Sequence, residues 1–166
     1  MTPLPGRLGD GSIVGWRIDD SRHAATWDSG EGAFRVGGRW NSPGVRTVYC
    51  SADPATAILE VAVHKGFRVL DTVPHTLTSF RIDAPDRIHI VRPEDVPNPN
   101  WLRPGTPSAG QMAFGDNLLK RHPVVLIPSA VSSHSWNLLF LAGTAGAYKM
   151  LAQERLALDP RLHPPV

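Results

Sequence analysis

A single cysteine, Cys50, is all the thiol chemistry this sequence carries. It cannot close an intrachain disulfide, and no pair of thiols exists to hold zinc. Set between Tyr49 and Ser51 in an apolar run, Cys50 reads as a small buried hydrophobe. Charge is also sparse, at 19% of residues. The 17 Lys and Arg against 15 Asp and Glu leave a formal charge of +2, with no run of three basic residues. The clustered basic excess of a nucleic-acid-binding domain is therefore missing. Residues 1–10 lack the apolar core of a signal peptide. The longest apolar stretch, residues 138–148, is too short to span a bilayer and is broken by Gly143 and Gly146. These absences point to a soluble protein of a reducing cytoplasm, with no membrane contact and no direct nucleic-acid contact.

What is present suits one globular domain. The chain has 166 residues, 42% of them hydrophobic, enough for a real core and too many for a disordered body. Gly 15 and Pro 16 together make about a fifth of the chain, which predicts short elements joined by many turns and excludes a helical bundle. Residues 1–12 read as a flexible, Pro/Gly-rich arm and residues 13–166 as the domain. A strand is expected over residues 13–18, followed by a polar stretch to Glu31. A glycine-rich segment then runs from Gly37-Gly38-Arg39-Trp40-Asn41 to a Pro43-Gly44 turn, and residues 45–50 read as a strand.

The clearest element comes next. Asp53 is a good N-cap, Pro54 fits the first helical position, and Gly66 closes the helix. Ala55, Ile58, Leu59, Ala62 and Val63 recur at helical spacing, with Glu60 off the centre of that stripe and His64 one turn further on the same side. Residues 77–82 and 87–91 read as strands. Residues 92–107, with five prolines, read as a long loop around Trp101. Ser108 caps an expected helix to about Arg121 with Met112, Leu118 and Leu119 inward, and residues 124–127 read as a short buried strand ending at Pro128-Ser129. The sum is a single mixed α/β domain of the α+β class.

Most catalytic templates fail. There is no P-loop, no G-x-G-x-x-G, no H-E-x-x-H and no C-x-x-C. The seven histidines are scattered, and Glu60 with His64 reads as a helix-surface pair rather than a metal site. No nucleophile elbow supports a Ser-His-Asp triad. What remains is a set around the glycine-rich segment. Arg39 follows two glycines, so its backbone can approach a ligand while its fork reaches phosphate oxygens. Taken singly, Arg39 reads as a surface turn residue, Tyr49 as a core aromatic, Glu60 as a solvated carboxylate and Ser129 as a turn residue.

Taken in order, these residues resemble a known family. Gly37-Gly38-Arg39-Trp40-Asn41, Pro43-Gly44, Val48-Tyr49 and Ala57-Ile58-Leu59-Glu60 with His64 look like the RES-domain toxins, named for an Arg, a Glu and a Ser. The resemblance continues through Gly115-Asp116, Ile127-Pro128-Ser129-Ala130-Val131, Asn137 and Asp159-Pro160-Arg161-Leu162, covering residues 13–162. One departure stands out: family members often read Asn-Pro and then His after the Asn at position 137, where this chain has Phe140-Leu141-Ala142-Gly143.

The resemblance implies an ADP-ribosyltransferase-like sheet core and a bacterial toxin that degrades NAD by cleaving the nicotinamide–ribose bond. It implies Glu60, Arg39, Tyr49 and Ser129 as catalytic residues. For NAD binding it implies Arg17, Arg39, Trp40, Asn41, Tyr49 and Asn137, with no metal and no cofactor beyond NAD as substrate. The partner implied is a cognate Xre-like antitoxin, and a homodimer is left open. Two alternatives stand beside this: an ADP-ribosyltransferase that modifies a protein from NAD, and a non-catalytic RNA-binding module.

Overall fold

The computed structural model describes residues 12–162 except Asp83, Ala84, Pro104 and Ala145. The expected arm lies outside these residues apart from Ser12, which is buried. Strand β1 (Ile13–Asp20) leads through a 3-10 turn to the short helix α1 (Glu31–Val36), then β2 (Thr47–Ser51) and helix α2 (Pro54–Lys65). Helix α3 (Phe67–Thr72), β3 (His75–Ile82), β4 (Ile88–Ile90) and helix α4 (Ala109–Arg121) follow. Strands β5 (Val124–Pro128), β6 (Trp136–Leu141) and β7 (Lys149–Arg155) complete the order. The seven strands form one mixed sheet in the order β4-β5-β6-β2-β1-β3-β7. Only β4 and β5 pair in parallel; every other neighbour is antiparallel. This is the α+β architecture expected from the sequence.

Both faces of the central strands are covered. Val48, Cys50, Phe80, Leu126, Leu138 and Phe140 pack on one side with Trp27. Tyr49, Val125, Ile127 and Leu139 alternate to the other side, against Trp40, Trp101, Leu118 and Leu119. Because side chains alternate along a strand, Ser51 shares the face of Tyr49, and Asn137 that of Leu139. The register sets Ser51 opposite Asn137 and Tyr49 opposite Leu139. Three polar residues thus arrive together at one end of an apolar sheet face. Cys50 is buried on the opposite face, and that burial pushes its thiol pKa up to about 12.

Helix α2 starts and stops as its caps dictate. Asp53 accepts the Thr56 N–H at 2.8 Å, Pro54 occupies the first turn, and Gly66 ends the helix at φ +81°, where an L side chain would be strained. Its buried face differs from the expected stripe. Ala55, Leu59 and Val63 are exposed, whereas Thr56 and Ala57 are buried, with Ile58, Val61 and Ala62 partly so. The Thr56 hydroxyl bonds to the Asp53 carboxylate at 2.6 Å, so a polar residue is satisfied locally and can face inward. That rotation brings Glu60, three residues beyond Ala57, to a half-buried flank of the helix.

Candidate active site

Glu60 is held from two strand ends. Its Oε1 accepts the Ser129 hydroxyl at 2.8 Å and the Asn137 amide at 2.6 Å. Among the described residues, Oε2 takes no hydrogen bond. Ser129 directly follows β5, and its Oγ also accepts the backbone N–H groups of Val131 and Ser132, both at 3.1 Å. Its proton goes to the carboxylate and its lone pairs to the backbone. Ser129 is therefore arranged to orient Glu60 rather than to attack. Asn137 in turn accepts the Ser51 hydroxyl at 3.1 Å. Hydrogen bonds to an ionised acceptor are the strong kind, and Ser129, Asn137 and Ser51 are all buried, so the carboxylate is firmly placed.

A second network shapes the glycine-rich turn. Asn41, fully buried, donates its amide to the carbonyls of Ala33, Ser42 and Val45, and its Oδ1 accepts the Tyr49 hydroxyl at 2.7 Å. Tyr49 also accepts the Trp40 N–H at 3.0 Å. Gly38 is required here, because a Cβ would sit 2.6 Å from the Tyr49 hydroxyl. From α4, Asp116 accepts the Ser42 N–H, while a Cβ at Gly115 would lie 2.0 Å from the Trp40 carbonyl oxygen. Burial, above all, pushes the Tyr49 pKa well above the usual tyrosine value. The Asp116 and Glu60 charges add to this, and the Trp40 N–H and Arg39 oppose it. Tyr49 is thus a protonated scaffold group that feels Arg39 and Glu60 together.

The structure sorts the residues expected from the sequence into three groups. Glu60, Ser129 and Asn137 touch directly. Trp40, Asn41 and Tyr49 form the adjoining scaffold; the Trp40 ring is buried against Trp101 and Phe114, at centroid distances of 5.7 and 6.3 Å. The two arginines differ. Arg17 makes a bidentate pair with Asp19 at 2.6 and 2.8 Å and donates to the Tyr49 carbonyl at 2.6 Å, so its charge is already matched. Arg39 has no carboxylate partner among the described residues; its Nη1 donates to the carbonyls of Trp101 and Arg103 at 2.5 and 3.3 Å. His64 is exposed and stays outside the network. Sequence reasoning missed Ser51 and Asp116. Period-2 spacing from Tyr49 could have found Ser51; Asp116 carried the family resemblance without a role.

A family model described as RES domain matches residues 14–159. The protein is 34% identical over 132 residues to "Toxin Res" of Pseudomonas putida, covering 77% of this chain and 83% of that protein. It is 31% identical over 157 residues to the "Prs ADP-ribosylating toxin" of Sphingobium sp., covering 89% and 94%. Among solved structures, a chain of the Mycobacterium tuberculosis MbcT–MbcA toxin–antitoxin complex superposes with a TM-score of 0.63 at 20% identity, covering 87% of this chain and 84% of that one. That likeness is one of fold.

Proposed function

This chain belongs to the RES domain family, and from that premise we propose that it is the toxin of a toxin–antitoxin pair that breaks the nicotinamide–ribose bond of NAD. The observation that carries the reading is the Glu60 carboxylate, fixed through Oε1 by Ser129 and Asn137 while Oε2 takes no hydrogen bond among the described residues.

The chemistry suits that arrangement. When the bond between the anomeric carbon and nicotinamide breaks, its electron pair leaves with neutral nicotinamide and the ribose becomes oxocarbenium-like. A prearranged carboxylate stabilises positive charge that exists only in the transition state. Water then adds to the anomeric carbon and loses a proton to solvent, giving ADP-ribose; phosphate would give the phosphorylated sugar instead. Arg39 grips the diphosphate with the edge of its fork that the carbonyl bonds leave open. Ser129 and Asn137 hold Glu60, and Tyr49 with Asn41 holds the turn that carries Arg39. None of these roles calls for a metal. The partner proposed is an Xre-like antitoxin; what supports an antitoxin as such is the toxin–antitoxin complex in which the similar fold was solved.

Incubating the purified protein with NAD should release nicotinamide, read by chromatography; intact NAD after prolonged incubation of folded, antitoxin-free protein removes the reading. A second reading, transfer of ADP-ribose to a protein, is favoured by the near full-length similarity to the Prs ADP-ribosylating toxin. Labelled NAD separates the two: label on an added protein supports transfer, and label only in free ADP-ribose supports degradation. An RNA-binding module finds less support, because Arg17, Arg22, Arg35, Arg46 and Arg161 are each paired with a carboxylate.

A further inference from the structure

The Pro-rich segment between β4 and α4, read from the sequence as a loop, is tied down at several points. Trp101 is buried and packs on Trp40, the residue next to Arg39. Asn98 donates to the Gln111 side chain of α4 at 3.1 Å, and its own Oδ1 accepts the Asn100 N–H at 3.0 Å. The carbonyls of Trp101 and Arg103 both accept from Nη1 of Arg39. These two bonds use one nitrogen of the guanidinium. Nε and Nη2 make no hydrogen bond among the described residues, and they form the parallel edge that matches two oxygens of an anion.

Arg103 is the second unusual feature. Its carbonyl lies 3.3 Å from Nη1 of Arg39, so the root of its exposed side chain sits beside the tip of the Arg39 fork, and it has no carboxylate partner among the described residues. A guanidinium rooted beside that tip can share an anion with it, and the anion offsets the repulsion of two like charges. Arg17, the second cation expected from the sequence, is instead occupied by Asp19.

The geometry points to residues 96–103 as the second wall of the anion subsite: Trp101 is a positioning residue that locks the Arg39 fork, and Arg103 supplies the second positive charge for a diphosphate. This rests on the NAD reading above and deepens it. The strap fixes Arg39 before ligand arrives, so less rotamer freedom is lost on binding.

Arg103→Gln tests the assignment at an exposed position where folding is not at risk. KM for NAD should rise roughly three- to tenfold with kcat held, the loss expected for one exposed charge-assisted contact. Its dependence on ionic strength should flatten. Arg103→Lys should recover most of the loss, because the charge is retained. Inorganic pyrophosphate, titrated by calorimetry, should bind more weakly to Arg103→Gln and to Trp101→Phe, with thermal unfolding followed in parallel to show that both remain folded. An unchanged KM and unchanged pyrophosphate affinity in Arg103→Gln overturns the proposal while leaving NAD cleavage standing. A wild-type protein that neither consumes NAD nor binds pyrophosphate overturns both.

Discussion

At the scale of single residues, the site separates charge from its supports. Glu60→Gln removes the negative charge but keeps a carbonyl oxygen that can accept the same bonds from Ser129 and Asn137. The fold and most NAD binding should survive, and turnover should fall at least about a hundredfold, the scale of losing one preorganised electrostatic stabiliser. Comparing kcat with NAD affinity for the two proteins checks this; equal turnover would make Glu60 an ordinary helix residue. Arg39→Lys asks a different question. Lysine keeps the charge but has no planar fork, so it cannot hold the Trp101 carbonyl and two phosphate oxygens in one plane. NAD binding should weaken by about tenfold, an energy of about 1.4 kcal/mol. Binding as tight as wild type would show that Arg39 acts only as a point charge.

At the scale of elements, the site depends on how closely α4 approaches the glycine-rich turn. Gly115 is buried, and a methyl group there would lie 2.0 Å from the Trp40 carbonyl oxygen, where neither backbone can give cheaply. Gly115→Ala should destabilise the fold by about 1–3 kcal/mol through overpacking and lower the melting temperature by several degrees; an unshifted thermal transition would mean that the helix is free to slide. The same scale shows what the sequence could reveal. Helices α2 and α4 were legible because Asp53, Pro54, Gly66 and Ser108 mark their ends chemically. Strands β1, β2, β3, β4 and β5 were legible from runs of β-formers. Strand β6 was not, because it is buried on both faces and its run Trp136–Leu141 lacks alternation. Strand β7 was hidden for the opposite reason: all seven of its residues, KMLAQER, are exposed, and only pairing with β3 makes them a strand. The short helices α1 and α3 are six residues each and carry no side-chain N-cap bond. The order of Arg39, Tyr49, Glu60 and Ser129 was readable as a family pattern. The Asn137 contact to Glu60 depends on the β2–β6 register, which no local signal encodes.

At the scale of the whole molecule, the helix that carries Glu60 also carries exposed apolar side chains. Glu60 is half-buried on α2, and Leu59 and Val63 on the same helix are 38% and 63% exposed. The reaction proposed above drains a shared cofactor, so the cell that makes the protein must restrain it. The antitoxin proposed above should therefore cover the Glu60 carboxylate and these two apolar side chains together. A carboxylate or chain terminus of the antitoxin suits the open edge of Arg39 better than Arg17, which Asp19 already holds. Expression of the free protein should arrest growth and deplete NAD, and co-expression of the antitoxin should restore both. In the purified complex NAD binding should be lost, and Leu59→Lys or Val63→Glu should weaken the complex without reducing NAD turnover by the free protein, since neither side chain bonds to Glu60. Turnover by the complex at the rate of the free protein would place the antitoxin elsewhere on the molecule. Full affinity in both surface variants would move the contact off α2.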